Sequence, residues 1–317
     1  MSQQQVPNES PSSPSEQTDF HSDGTSVPDA RTPFFKASNA ERYQRKDIIA
    51  QIQDRTESRL ICFVAGSRPE CMINQSDTIP FVDLLHNVED GENIDLLLHT
   101  IGGSVDAAEK LLRLVRSKVG DGQLRVIVPE FAKSAGTVMV LGADSVVMSD
   151  TSELGPIDPQ MQFSDSRGVV RWHSVQNYLD AYREHYDKVS EDPDNVAAKI
   201  MLSKIDPDTV RLCQAAKARA RQSAESLLRE GMFRKNDGNF TQTVSELLDT
   251  GRWLSHSQMI TWQDAKDANI GLKIEYLKQD NELWQAYWRL YCLQRLAIAD
   301  NQKLYESDRV SLPIDAS

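Results

Sequence analysis

The sequence predicts an α/β protein whose sheet is mainly parallel and is built from βαβ units. Compact apolar runs without helical periodicity, such as residues 59–65 and 94–99, are typical of strands buried on both faces. Between these runs apolar side chains recur at helical spacing, as they do from Val105 to Val115. Strands that alternate with helices in this way favour right-handed crossovers and a parallel sheet.

The predicted elements follow one another at a regular rhythm from residue 41 onward. They are a helix at 41–53, a strand at 59–65, a helix at 78–86, a strand at 94–99, a helix from Val105 that stops at Gly120, a strand at 124–128, a helical stretch from Ser134 and a strand at 146–148. Beyond residue 162 the pattern becomes helical. Asp206 and Pro207 are a strong start signal for a helix that ends near Gly231, because Asp caps free N–H groups and Pro suits the first helical position.

Composition divides the chain into three segments. Residues 1–37 hold 7 Ser and 5 Pro with few large apolar side chains, which predicts a disordered tail. Residues 38–280 are expected to form the main domain, and residues 281–317 a helical C-terminal extension.

The charge balance excludes several classes of partner. Asp and Glu number 47 against 35 Lys and Arg, so the formal net charge is −12. A balance this negative disfavours nucleic acid and anionic membrane surfaces. No apolar run reaches the roughly 18 residues that a membrane span requires, and the first residues lack the regions of a secretory signal. We therefore expect a cytoplasmic protein with no integral membrane segment and no nucleic-acid partner.

Metal and cofactor chemistry is also disfavoured by the residue pattern. The four cysteines show no spacing typical of a zinc site, and we expect no metal. Gly102 and Gly103 lack the third glycine of a dinucleotide fingerprint, so we expect no cofactor.

Chemistry-bearing residues follow two of the predicted strands. The strings HTIGGS, residues 99–104, and KSAGT, residues 133–137, each place small residues where helix N–H groups are unpaired. A nucleophilic serine needs a base and an oxyanion site, and the N–H groups of Gly103 and Ala135 are suited to serve Ser134. Alone, a Gly-Gly turn or a Ser at a helix start usually serves local structure. The two together, followed by LGPIDP at 154–159, are far more specific.

Three strings carry a family resemblance: LLLHTIGGSVDAAEKLLRLVR, VPEFAKSAGTVMVLGADSVVM and ELGPIDPQM. They resemble the serine dehydrogenase proteinase (SDH) family, which shares the Clp/crotonase fold with signal peptide peptidase A. The resemblance covers residues 42–161 well and continues weakly to residues 252–274. It implies that residues 38–280 are an ATP-independent serine endopeptidase domain of the Clp/crotonase fold, acting on a peptide or protein substrate. In that interpretation Ser134 attacks the scissile carbonyl, and Gly103 and Ala135 hold the oxyanion.

The general base is less clearly marked. Clp-type peptidases have a histidine on the segment that reads SELGPIDPQM here, and this segment has none. Relatives of signal peptide peptidase A use a lysine from further along the chain, and a lysine whose pKa is depressed by burial can serve. Lys204, just before the helix start, is predicted to be the base. The lysine alternatives are Lys188, Lys199 and Lys217.

Two histidines offer other roles. His256 could complete a Ser-His-Asp arrangement with Ser134 and Asp158, because such triads need no fixed chain order. His99, at the end of a strand, is expected to orient a loop by a hydrogen bond to its backbone. A protein that has the fold but no activity, and serves as an oligomeric scaffold, is the alternative from another class.

An aromatic stripe marks the C-terminal region. Four large aromatic side chains share one predicted helix face: Trp284, Tyr287, Trp288 and Tyr291. This face is either part of the core or a subunit interface, where Trp and Tyr are enriched. Since similar Clp-fold proteins are generally oligomers, we predict a homo-oligomer.

Overall fold

The computed structural model describes residues 31–164 and 168–316, and it divides into two units, residues 1–39 and 40–317. In the first unit, helix α1 (Pro33–Ser38) begins after Thr32, whose hydroxyl accepts a hydrogen bond from the Phe35 N–H. Most of the predicted tail, residues 1–30, lies outside the described residues. Residues 33–37, which were expected to be disordered, are helical instead, because Thr32 caps them and Pro33 suits a first helical turn.

The second unit is built on a seven-stranded sheet in the order β11-β10-β1-β2-β3-β5-β9. Strands β1, β2, β3, β5 and β9 run parallel, and β10 and β11 add an antiparallel edge. The strands of the described residues, of which β4 with β6 and β7 with β8 form separate two-stranded sheets, are β1 (Arg59–Ala65), β2 (Ile94–His99), β3 (Leu124–Ile127), β4 (Phe131–Ala132), β5 (Ser145–Met148), β6 (Glu153–Leu154), β7 (Gln160–Ser164), β8 (Val170–Ser174), β9 (Ile274–Tyr276), β10 (Gln302–Glu306) and β11 (Ser311–Asp315).

Helices cover both faces of this sheet. They are α2 (Ala40–Thr56), α3 (Thr78–Leu85), α4 (Val105–Val119), α5 (Ala135–Leu141), α6 (Val175–Glu191), α7 (Val196–Leu202), α8 (Pro207–Glu230), α9 (Phe240–Leu247), α10 (Trp262–Lys266) and α11 (Glu282–Leu296). Strand β1 shows the layering, because Ile61 and Phe63 face a core with α3, α4, α5 and α8. The alternate residues Leu60 and Cys62 face a second core with α2 and α11. The predicted fold class is confirmed: an α/β unit with a mainly parallel sheet.

The C-terminal segment differs from the expected helical extension. Residues 281–317 belong to the same unit as the rest of the chain from Ala40 onward. Besides helix α11, they contain β10 and β11, and β10 pairs with β1 in the main sheet.

The aromatic stripe lies in the interior of this unit. Trp284 and Tyr287 are fully buried and Tyr291 nearly so, and Trp288 is partly buried against the same cluster. The face of α11 thus packs on the chain's own sheet, which removes the aromatic face as an argument for a subunit interface. The homo-oligomer stays a prediction from the family resemblance.

A second, smaller ladder crosses the carboxyl ends of the parallel strands. Strands β4 and β6 pair in parallel, and isolated bridges extend this pairing on both sides. The bridged pairs are Ile73 with Gly103, Thr100 with Ala132 and Leu154 with Ile260. This ladder brings the loops after β2, β4 and β6 side by side.

Among the described residues, no helix is both long and apolar enough to cross a membrane.

Candidate active site

Ser134 lies in the turn between β4 and α5, at the position that would cap the helix. Its φ is 51° and its ψ is −116°, a left-handed conformation that residues other than glycine rarely adopt. Strain of this kind costs about 1–3 kcal/mol and persists where the surrounding structure imposes it. The side chain caps no helix N–H, and Oγ makes no hydrogen bond within the described chain. Ser134 is therefore a strained, half-buried serine whose hydroxyl has no hydrogen-bond partner among the residues that the structure describes.

The Gly102-Gly103 turn lies directly against Ser134. A Cβ added to Gly102 would lie 2.7 Å from Ser134 Cβ and 2.7 Å from the Lys133 carbonyl oxygen. The φ of Gly102 is 100° and that of Gly103 is 146°, so side chains are disfavoured at both positions. This contact explains why the two strand ends that the sequence marked occur together.

Two backbone N–H groups next to Ser134 remain available. The amides of Gly103 and Ala135 donate no hydrogen bond to any residue that the structure describes. By contrast, the Gly102 N–H donates to Thr100 Oγ1 over 3.1 Å, and the Gly102 carbonyl accepts from the Ile73 N–H over 2.7 Å. The two amides predicted for the oxyanion site are thus those that the fold leaves unpaired.

Thr137 joins the Ser134 turn to the segment after β6, a contact that the sequence did not reveal. Its hydroxyl is fully buried, accepts a hydrogen bond from the Gly155 N–H (3.0 Å) and lies within donating distance of the carbonyls of Ala132 (2.8 Å) and Gly155 (2.9 Å). Lys133 supports the same junction, since its Nζ lies 2.6 Å from Glu153 Oε2 and 3.1 Å from the Leu154 carbonyl. Residues 153–155 are thereby fixed beside Ser134.

His256 and Asp158 form a hydrogen-bonded pair close to this junction. Leu154 and Ile260 form an antiparallel bridge. Asp158 lies four residues after Leu154 and His256 lies four residues before Ile260, so the two side chains come to lie opposite each other. His256 Nδ1 lies 2.7 Å from Asp158 Oδ1, and Asp158 is only 4% exposed. Because a carboxylate only accepts, Nδ1 carries the donated proton and Nε2 of the neutral ring holds the lone pair. Nε2 makes no hydrogen bond with another described residue.

The four candidate lysines lie at different places, and none hydrogen-bonds to Ser134 Oγ. Lys204 is exposed in the turn between α7 and α8, and Lys199 is exposed on α7. Lys188 pairs with Glu184 one turn earlier on α6, over 2.5 Å. Lys217 is half-buried on α8 and donates to Gln176 Oε1. Gln176 follows Val175, whose N–H donates to the carbonyl of Pro159, the residue after Asp158. Of the four candidates, Lys217 is therefore the lysine connected most directly to the Asp158 segment.

His99 has the orienting contact that its position suggested. It is 1% exposed, and its Nδ1–H donates to the Ala65 carbonyl over 3.0 Å. Its ring packs on Phe131, with centroids 4.1 Å apart, and on Tyr291. Burial lowers the pKa of His99, which keeps the ring neutral.

Within the described residues, no group of three or more His, Cys, Asp or Glu side chains could hold a metal ion.

The segment that carries the site matches the family of ClpP-like SDH-type serine proteinases. The match covers residues 33–180. The resemblance predicted from the sequence is thus confirmed, and the Clp/crotonase-like fold with it. The matched segment includes Gly103, Ser134 and Asp158 but ends before Lys204 and before His256. The family match of this segment therefore does not decide which residue is the base.

Individual relatives extend beyond this segment. The chain is similar to two uncharacterized proteins of Methanocaldococcus jannaschii, MJ0137 and MJ1495. It is 28% identical to MJ0137 over 182 residues, which are 57% of this chain and 53% of MJ0137. It thus spans about half the length of that relative. The identity to MJ1495 is 23% over 239 residues, 70% of this chain and 72% of MJ1495.

One solved structure is similar at lower identity. It is a mutant of the membrane-bound stomatin-specific protease 1510-N, with a TM-score of 0.40 and 15% sequence identity. The similarity covers 68% of this chain and 79% of that chain.

Proposed function

We propose that the chain is a serine peptidase that hydrolyses peptide bonds through an acyl-enzyme on Ser134. The observation that carries this proposal is the Ser134 turn: a strained serine with an unbonded hydroxyl, lying against Gly102 and beside two unpaired amides. A serine that served only local structure would cap the helix that it precedes. The family match supports the same reaction class.

We further propose that His256 is the general base and that Asp158 orients it. The 2.7 Å contact fixes the tautomer in which Nε2 is free to take a proton, as the base in a Ser-His-Asp arrangement requires. Ser134 Oγ and the ring do not form a hydrogen bond in the free protein, and such contacts often tighten only when substrate binds. The lysine base predicted from the sequence has less support, because Lys204 is exposed and its side chain makes no hydrogen bond with the described site residues.

The proposed reaction has two stages. Ser134 Oγ attacks the scissile carbonyl carbon while its proton passes to His256 Nε2, and the N–H groups of Gly103 and Ala135 stabilise the oxyanion that forms. The carbon–nitrogen bond then breaks as His256 returns the proton to the leaving amine. A water molecule then attacks the ester carbon while His256 Nε2 takes its proton. His256 returns this proton to Ser134 Oγ as the ester carbon–oxygen bond breaks, which releases the carboxyl product and regenerates Ser134.

The test is cleavage of unstructured peptides, followed by mass spectrometry of the new amino termini, with and without pretreatment by a fluorophosphonate. We expect products from the unmodified protein and none from Ser134→Ala, and we expect the fluorophosphonate to add to Ser134. The scaffold alternative predicts neither Ser134-dependent products nor an adduct. Products that persist in a clean Ser134→Ala preparation would overturn the proposal.

A further inference from the structure

A buried ion pair holds the turn of residues 72–77, which lies against the Gly102-Gly103 turn. Lys303, on β10, is 3% exposed, and its Nζ lies 2.7 Å from Asp77 Oδ1 and 2.8 Å from the carbonyl of Met72. Asp77 is 1% exposed and also accepts from Tyr305 Oη over 2.5 Å and from the Asn74 N–H over 2.8 Å. Burial raises the pKa of Tyr305, so its hydroxyl remains a donor. Every one of these bonds fixes the turn formed by residues 72–77.

The same turn holds the Gly102-Gly103 backbone from the other side. The Ile73 N–H donates to the Gly102 carbonyl over 2.7 Å, and the Ser104 N–H donates to the Ile73 carbonyl over 2.9 Å. A Cβ added to Gly103 would lie 2.4 Å from both the nitrogen and the oxygen of Ile73. The Met72 carbonyl and the Ile73 N–H belong to one peptide group. Lys303 therefore bonds directly to the peptide that holds the Gly102 carbonyl. That carbonyl shares its own peptide group with the Gly103 N–H.

We propose that Lys303 and Asp77 are positioning residues for the Gly103 N–H, an inference that rests on the proposed function. The pair holds the 72–77 turn, the turn holds Gly103 through Ile73, and Gly103 provides one of the two oxyanion donors. An oxyanion donor acts only when it is preorganised, so a loosened turn slows the chemical step more than it weakens substrate binding. Asp77 lies inside the family-matched segment and Lys303 lies outside it, so the site depends on the C-terminal strand.

Strand β10 itself supplies a matched control. Its side chains alternate between the two cores, and Glu306, on the face opposite Lys303, is fully buried. Glu306 pairs with Arg45, whose Nε lies 3.0 Å from its carboxylate and which is 5% exposed. This second ion pair is also buried, and it makes no hydrogen bond with the 72–77 turn. Glu306 lies 3.3 Å from Arg42 as well, and the Arg42 side chain is 20% exposed to solvent.

The experiment compares two double variants, Asp77→Asn with Lys303→Met and Arg45→Met with Glu306→Gln. Both charges are removed together because leaving one buried charge unpaired is strongly destabilising. For the first double variant we expect kcat for peptide cleavage and the rate of phosphonate addition to Ser134 to fall about tenfold or more, with KM changed less than about threefold. For the second double variant we expect the kcat of the unmodified protein, at a melting temperature comparable to that of the first double variant.

A milder pair of variants keeps the test decisive if the first double variant does not fold. Tyr305→Phe removes only the hydroxyl that donates to Asp77, and Tyr287→Phe removes the equally buried hydroxyl that donates to Asp95 Oδ2 over 2.9 Å. We expect kcat to fall about threefold or more for Tyr305→Phe alone. Equal kcat for both tyrosine variants, or for both double variants that fold, overturns the inference. If the unmodified protein shows no Ser134-dependent activity, it is the proposed function that fails.

Discussion

Two serines begin helices at neighbouring strand ends, and the structure uses them in opposite ways. Ser104, after β2, has a φ of −70°, and its Oγ accepts a hydrogen bond from the Ala107 N–H over 3.3 Å to cap α4. Ser134, after β4, has a φ of 51°, and its hydroxyl caps nothing. Ser104 follows Gly103 and Ser134 follows Lys133, and each precedes a helix whose first residue is apolar, Val105 and Ala135 respectively.

This difference separates a structural serine from the serine that we propose is the nucleophile. Ser104 adopts an extended conformation without strain and satisfies a helix amide, as an ordinary cap does. Ser134 has a strained backbone, and its hydroxyl makes no hydrogen bond within the described residues. The Gly102 turn lies against it, and the Ser134 carbonyl accepts a hydrogen bond from the Val138 N–H over 3.1 Å. Backbone strain at a residue whose side chain has no structural role points to a functional site.

The largest effect separates the two serines by activity. Ser134→Ala should lower kcat/KM by about 10⁴-fold or more, because the nucleophile is removed. Ser104→Ala should keep kcat/KM within about threefold and lose about 1 kcal/mol of unfolding free energy, as the loss of a cap does. Steady-state kinetics and urea denaturation of both variants provide the measurement. Equal activity losses would mean that Ser134 is not the nucleophile.

The second effect concerns the base that serves Ser134. His256→Gln should lower kcat/KM by about 10²- to 10⁴-fold, the usual contribution of a general base. Lys204→Gln and Lys217→Gln should stay within about threefold of the unmodified protein, because surface charge changes alone have small effects. A large loss in either lysine variant with full activity in His256→Gln would restore the lysine base that the sequence first favoured.

The third effect tests the close approach of the glycine turn to Ser134. Gly102→Ala places a Cβ 2.7 Å from Ser134 Cβ and should lower activity about a hundredfold or more. Gly91→Ala is its control, since Gly91 has a φ of 87° with nothing within 4 Å of an added Cβ. Both variants should lose about 1 kcal/mol or more of stability from positive φ, but only Gly102→Ala should lose activity. Full activity in a folded Gly102→Ala protein would contradict the contact.

The smallest effect is on stability and isolates the strain at Ser134. Ser134→Gly should be more stable than Ser134→Ala by about 1 kcal/mol, because glycine adopts positive φ without a steric cost. Both variants should be inactive. Urea denaturation measures the difference, and a glycine variant less stable than the alanine variant would show that the turn is not strained.

Much of the backbone arrangement around Ser134 could be predicted from the sequence. Strands β1 and β2 have the bounds that their apolar runs predicted, and Gly103, Ser134 and Ala135 follow strand ends whose register is set locally. The sequence offered His256 with Asp158 as one alternative but could not place it ahead of a lysine base. This pairing could not be derived from the local pattern. It depends on the bridge between Leu154 and Ile260, which joins segments about a hundred residues apart and leaves no periodic signal.

The C-terminal contribution was hidden for a different reason. Strand β10 reads QKLYE, a polar string without the apolar run of a central strand, yet four of its five residues are buried. Lys303 and Glu306 are buried because each has an ionic partner from a distant part of the chain, Asp77 and Arg45 respectively. Such partners are set by tertiary structure, and composition alone suggests a solvated surface.

The central claim, that His256 activates Ser134, is tested most directly by the rate at which a phosphonate adds to Ser134. The adduct is located by peptide mass spectrometry in the unmodified protein, in Lys217→Ala and in His256→Ala with and without added imidazole. We predict equal rates for the first two, a rate lower by about a hundredfold for His256→Ala, and partial recovery with imidazole, which replaces the missing base. A His256→Ala protein that reacts at Ser134 as fast as the unmodified protein would contradict the account.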